Sequence, residues 1–215
     1  DPCGIDNDPI RHLEAIFGLA KTYDRGVDIH LHDKGELGLW QIERIADFAV
    51  SHGRQGRTVI SHAYCLGQAT AARLEKIAKR LAEGQISIMT TAPADTPAPP
   101  VLDLRAAGVN VCMGSDGIRD AWSPLGTGDM LDRALFLCLR FDLAKDAELA
   151  AAFDCVTQGG ARAIGLKDYG LAVGGPANLV LIDAANVGMA IAERRADRTV
   201  IAKGRVVAEN GVFLG

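Results

Sequence analysis

Val27-Asp-Ile-His-Leu-His-Asp33 is the stretch from which the rest of the chain can be read. A short apolar run ends in two histidines at i and i+2, just before a glycine-containing loop. Side chains alternate along a strand, so His30 and His32 leave its C-terminal end in the same direction. Two imidazoles and a following carboxylate suit the start of a divalent-metal site. They also suit a hydrated strand terminus, and the spacing alone does not choose between the two.

Working outward, residues 8–22 read as a helix, with Asp8 as N-cap, Pro9 at the first helical position and Leu13, Ile16, Phe17 and Ala20 on one stripe. Residues 37–52 read as a second amphipathic helix through Leu39, Ile42, Ile45, Ala46 and Ala49, stopped at Gly53. Thr58-Val-Ile-Ser-His62 is a further strand ending in histidine. A helix over about 68–82, a strand over 85–90, a proline-rich loop over 92–100, a short helix over 101–107 and a strand over 110–114 follow. That last strand runs into Ser115-Asp116. Helices are expected over about 127–142, 146–156 and 158–164.

Four strand–helix alternations with short connections predict a parallel α/β sheet or barrel. In such architectures reactive groups collect at the C-terminal ends of strands. Three of the four strands end in a candidate ligand: His30 with His32, His62, and Asp116. His12 and His52 fall on helix positions and are set aside. The tail differs, because 177–183, 198–202 and 205–208 are short β runs joined by tight turns, which predicts an antiparallel appendage.

Composition narrows the function classes. A net charge of −4 offers no footprint for nucleic acid or an anionic membrane, so neither is an expected partner. Five dispersed cysteines without a C-x-x-C pair point to reduced thiols and a cytoplasmic protein. No apolar run reaches transmembrane length.

The strand-end residues, in this order, resemble the amidohydrolase superfamily, and within it the cytosine deaminases and N-isopropylammelide isopropylamidohydrolases. The matching segments are Asp28–Asp33, Thr58–Ala63, Gly114–Gly126, Ala161–Leu166 and Val200–Arg205, which together span nearly the whole chain. The resemblance implies that His30 is a metal ligand and that Asp116 both binds metal and moves the proton. It implies that His62 contacts substrate and the hydrolytic water. It places His32, Asp33, Asp120 and Trp122 around the substrate, with Asp33 where cytosine deaminases carry a proton-shuttling glutamate. One divalent metal is implied, zinc first, with iron or manganese as alternatives, and the substrate is a small nitrogen heterocycle.

Plainer roles stand beside these. His62 could be a core histidine bonded to a carbonyl, Asp116 an N-cap, Asp120 a turn cap before Pro124, Trp122 ordinary packing, and His32 a cover for the loop. The family pattern also opens with a His-x-His strand that has no counterpart before His30. The fold expected is therefore the C-terminal half, strands five to eight, of a TIM-like (β/α)8 metal-dependent hydrolase barrel over residues 1–170. Residues 171–215 would be the C-terminal part of a small β domain. The expected activity is hydrolysis of a C–N bond, either cytosine-type deamination or removal of an N-alkyl amine. The competing expectation is a catalytically incomplete half-barrel that self-associates or pairs with a missing N-terminal half. An α/β binding module with incidental histidines is the weaker rival.

Overall fold

A row of aliphatic side chains runs across the parallel sheet and fixes which face meets the helices. In the computed structural model, which describes residues 1–5 and 7–215, four strands make this sheet: β1 (Val27–Leu31), β2 (Thr58–His62), β3 (Ser87–Thr90) and β4 (Val111–Met113). Their order is β1-β2-β3-β4 and every pairing is parallel. Ile29, Ile60, Ile88 and Val111 lie side by side in that register. Ile60, Ile88 and Val111 are fully buried, in one core with Leu39, Ile42 and Ile45, Ile77 and Leu81, and Leu104. Burying a side chain of this size contributes about 1.5–3 kcal/mol.

Helices α1 (Pro2–Ile5) and α2 (Pro9–Thr22) precede β1. Asp8 caps α2 as its sequence predicts, accepting from the Arg11 N–H at 3.0 Å. Helix α3 (Gly35–Ser51) leads to β2, α4 (Ala71–Glu83) to β3, and α5 (Val101–Ala106) to β4. The helix expected over about 68–82 is present as α4 but begins slightly later, and a separate 3-10 helix, Tyr64–Gln68, precedes it. The reason is local: the Thr70 hydroxyl accepts from the Arg73 N–H at 3.3 Å and starts a new helix. After β4 come α6 (Met130–Phe141), α7 (Asp146–Cys155) and α8 (Gln158–Ala163), and α7 and α8 pack against β4.

The tail forms a separate antiparallel sheet of β5 (Leu179–Ile182), β6 (Arg198–Ala202), β7 (Arg205–Glu209) and β8 (Val212–Phe213). Helix α9 (Val187–Glu193) interrupts it and was not legible beforehand. Seven residues are too few to hold a helix alone. Asn186 caps it by accepting from Met189 N at 2.9 Å, and Ala190 and Ile191 bury themselves against α6 and α7. Ion pairs Arg194–Asp132 at 3.0 Å and Arg198–Asp129 at 2.8 Å fasten the tail to the start of α6. No described helix is long and apolar enough to cross a membrane.

Helix α3 meets the loop after β1 at Gly38, where an added Cβ would lie 2.2 Å from the Asp33 carbonyl oxygen and 2.7 Å from Cys65 Cβ. Backbone cannot yield as a side-chain tip can, so Gly38→Ala is expected to cost about 1–3 kcal/mol. Urea unfolding at unchanged m-value measures this, and an unchanged midpoint would show that α3 does not press on the loop.

Candidate active site

The C-terminal ends of β1 and β2 and the loop after β4 converge on one patch. His30 and His32 project to the same side, as the alternation predicts, with ring centroids 6.1 Å apart. His62 reaches them by a different route. It lies in register with Leu31, and the ladder alone would send it to the helix side with Ile60. Positive φ values of 72° at His62 and 47° at Ala63 turn the chain instead. The His62 ring thereby lands 4.9 Å from His30 and 4.4 Å from His32. Asp116, also left-handed at φ 57°, brings its carboxylate oxygen to 3.9 Å from His62 Nε2.

Burial divides the group. His62 is 1% exposed, whereas the Asp116 side chain is 51% exposed. Burial first, then the neighbouring His32, push the His62 pKa from 6.5 down to about 4, against the opposing pull of Asp116. His62 is therefore neutral at pH 7. Its Nδ1 sits 3.3 Å from the Tyr64 hydroxyl, and its Nε2 is buried without a hydrogen-bond partner.

Each remaining expected residue has a definite place. His32 directs Nδ1 at the Asp1 carboxylate, 2.8 Å away. Asp33 Oδ2 accepts from Gln41 Nε2 at 2.8 Å, and the fully buried Gln41 also accepts from Cys3 N at 3.0 Å. Asp120 Oδ1 accepts from the backbone N–H groups of Trp122 (2.9 Å) and Ser123 (2.7 Å), a turn-capping contact. Trp122 is 94% exposed and walls a cavity of about 960 Å³ shared with Tyr64, Asp95, Asp116, Arg133 and Arg140. Cys65 and Cys112 are buried, and burial raises both thiols to about 12, so neither is a reactive thiolate.

Tyr64 and Gln41 were missed by sequence reasoning. Tyr64 carried a faint signal, since it follows a strand-end histidine by two residues in a chain with only three tyrosines. Gln41 carried none, because a glutamine inside an amphipathic helix reads as surface.

His30, His32 and His62 each offer a ring nitrogen within 4.8 Å of the others, and Asp116 stands beside this trio. Imidazole and carboxylate donors gathered in this way suit a divalent cation by their chemistry.

Fold and site together define a class. Residues 3–208 match the model of the amidohydrolase family, and the chain belongs to that family. It is 34% identical over 215 residues to N-isopropylammelide isopropyl amidohydrolase of Pseudomonas sp. (strain ADP), covering 100% of this chain and 53% of that protein. The crystal structure of N-isopropylammelide isopropylaminohydrolase from Burkholderia multivorans ATCC 17616 is similar at TM-score 0.96 and 42% identity, over 100% of this chain and 55% of that one. The 5-methylcytosine deaminase of Klebsiella pneumoniae, liganded with 5-fluorocytosine, is similar at TM-score 0.83 and 27% identity, over 94% and 52% of the two chains. The chain thus spans about half the length of the curated relatives it matches. The resemblance drawn from the strand ends holds, and the α/β architecture is that of part of an amidohydrolase barrel.

Because the folded pKa of His62 lies below 6.5, the unfolded chain binds the proton first as the pH falls. Stability present above pH 6.5 is expected to decline toward pH 4, by up to about 3 kcal/mol at about 1.4 kcal/mol per unit. Denaturant melts of metal-free protein between pH 7 and pH 4.5 test this. His62→Gln should flatten the slope, and an equally steep slope in the variant would refute the assignment to His62.

Proposed function

We propose that the full-length protein is a metal-dependent hydrolase of C–N bonds in a nitrogen heterocycle, either deaminating it or releasing an N-alkyl amine. The observation that carries this reading is the gathering of His30, His32, His62 and Asp116 at one edge of the parallel sheet, in a chain of this family. The similarity to an N-isopropylammelide hydrolase and a 5-methylcytosine deaminase supports the choice of substrate class.

His30 and Asp116 would hold the metal, zinc by preference, though imidazole and carboxylate also accept iron and manganese. When bound, such an ion makes hydroxide available near neutral pH by lowering the pKa of water to about 7. The chain's own residues do the rest. Asp116 takes the proton from the attacking water and returns it to the leaving nitrogen, helped by its half-exposed carboxylate, which can reach both. His62, neutral and buried, polarises the reacting carbon's substituent. Asp33, held by Gln41, serves ring nitrogens, and His32 and Trp122 shape the pocket. In this reading residues 1–170 supply the barrel portion, and 171–215 belong to the small β domain.

A second reading concerns the chain taken alone. Among the described residues β1 and β4 are edge strands of the parallel sheet, and unpaired edges invite another polypeptide. The isolated 215-residue chain would then self-associate and hold metal weakly. A monomer with stoichiometric metal, by size exclusion and metal analysis, would exclude this.

For the enzyme reading, Asp116→Asn in the full-length protein should lower kcat/KM on N-isopropylammelide or cytosine by about 10²–10⁴-fold, the usual share of acid–base catalysis. Turnover at the parent rate in that variant would sink the assignment.

A further inference from the structure

We propose that Tyr64 is a positioning residue for His62. Together with Asp116 it holds the imidazole in the tautomer protonated on Nε2, so that His62 faces the site as a hydrogen-bond donor and not as a metal ligand. The last clause rests on the hydrolase reading above, whereas the tautomer follows from the geometry by itself.

A neutral imidazole has one N–H and one lone pair, and what each nitrogen faces decides which is which. Tyr64 opens the 3-10 helix directly after the left-handed pair His62–Ala63, and its ring lies 5.5 Å from that of His62. Its hydroxyl meets Nδ1 at 3.3 Å and has no other hydrogen bond among the described residues. A hydroxyl can give or accept here, so this contact alone leaves the tautomer open. The opposite nitrogen decides. Nε2 is buried, has no hydrogen-bond partner, and lies 3.9 Å from Asp116 Oδ2. A lone pair facing a carboxylate is repelled, whereas an N–H is attracted to it. The proton therefore sits on Nε2, and the Tyr64 O–H donates to Nδ1.

The assignment separates three histidines that distance alone treats as equivalent. An imidazole binds a metal through an unprotonated nitrogen. With its Nδ1 lone pair engaged by Tyr64, His62 presents only an N–H to the reacting centre. That is the arrangement needed to stabilise negative charge developing on a substrate oxygen or nitrogen.

The experiment is nitrogen NMR on full-length protein labelled with ¹⁵N-histidine, with the His62 signals identified by their loss in His62→Gln. The expected result for metal-free protein at pH 7.5 is a protonated Nε2 and an unprotonated Nδ1. Tyr64→Phe should shift the tautomer ratio about fivefold toward protonated Nδ1, as for the loss of one ordinary hydrogen bond. On addition of zinc the Nε2 proton should persist. A protonated Nδ1 in the unmodified protein, an unchanged ratio in Tyr64→Phe, or loss of the Nε2 proton on zinc binding would each overturn the proposal. The metal-free measurements need no substrate, so they succeed or fail independently of the hydrolase reading.

Discussion

The left-handed turn at His62 and Ala63 is the constraint on which the site depends. Without it the parallel ladder would carry the His62 side chain to the helix face with Ile60, away from the rings of His30 and His32. Non-glycine residues in this backbone region cost on the order of 1–3 kcal/mol each. The surroundings compensate. The Ala63 N–H donates to the Leu31 carbonyl at 3.0 Å, tying the turn to β1, and Cys65 and Leu66 of the following 3-10 helix are buried. Asp116 repeats the device at the end of β4, with φ 57°.

The second organising fact is the contrast between dry and wet sides of one small cluster. His62 is sealed and carries no charge at neutral pH, while Asp116 opens onto a cavity large enough for a small heterocycle. In the proposed reaction a neutral donor beside an accessible carboxylate would separate hydrogen bonding from proton transfer. Three of the candidate side chains also have a hydrogen-bonded neighbour that restricts rotation: Asp1 for His32, Gln41 for Asp33, Tyr64 for His62. Such supporting contacts set ring orientation and tautomer, which strand position cannot do.

Much of this is legible in the sequence. The apolar stripes of α2 and α3 and the β-branched runs of β1 and β2 are local patterns, and the parallel α/β unit follows from their alternation. Helix α9 was not legible, because it depends on burying Ala190 and Ile191 against α6 and α7 rather than on its own propensity. The helix after β2 is legible in the sequence, and only its exact start, set by the Thr70 cap, differs by a few residues. Asp120 is a turn cap as well as a neighbour of the cavity loop, two roles that one residue type cannot distinguish on its own.

By itself the sequence determined the strand–helix alternation, the strand-end positions of His30, His32, His62 and Asp116, and through them the family. These are properties of period and position along the chain. Only the tertiary structure decided that the His62 ring leaves its ladder face, that its Nε2 is buried beside Asp116, and that Tyr64 and Gln41 serve the site. Those outcomes depend on backbone dihedrals and on contacts between segments far apart in sequence. Residue spacing carries no information about either.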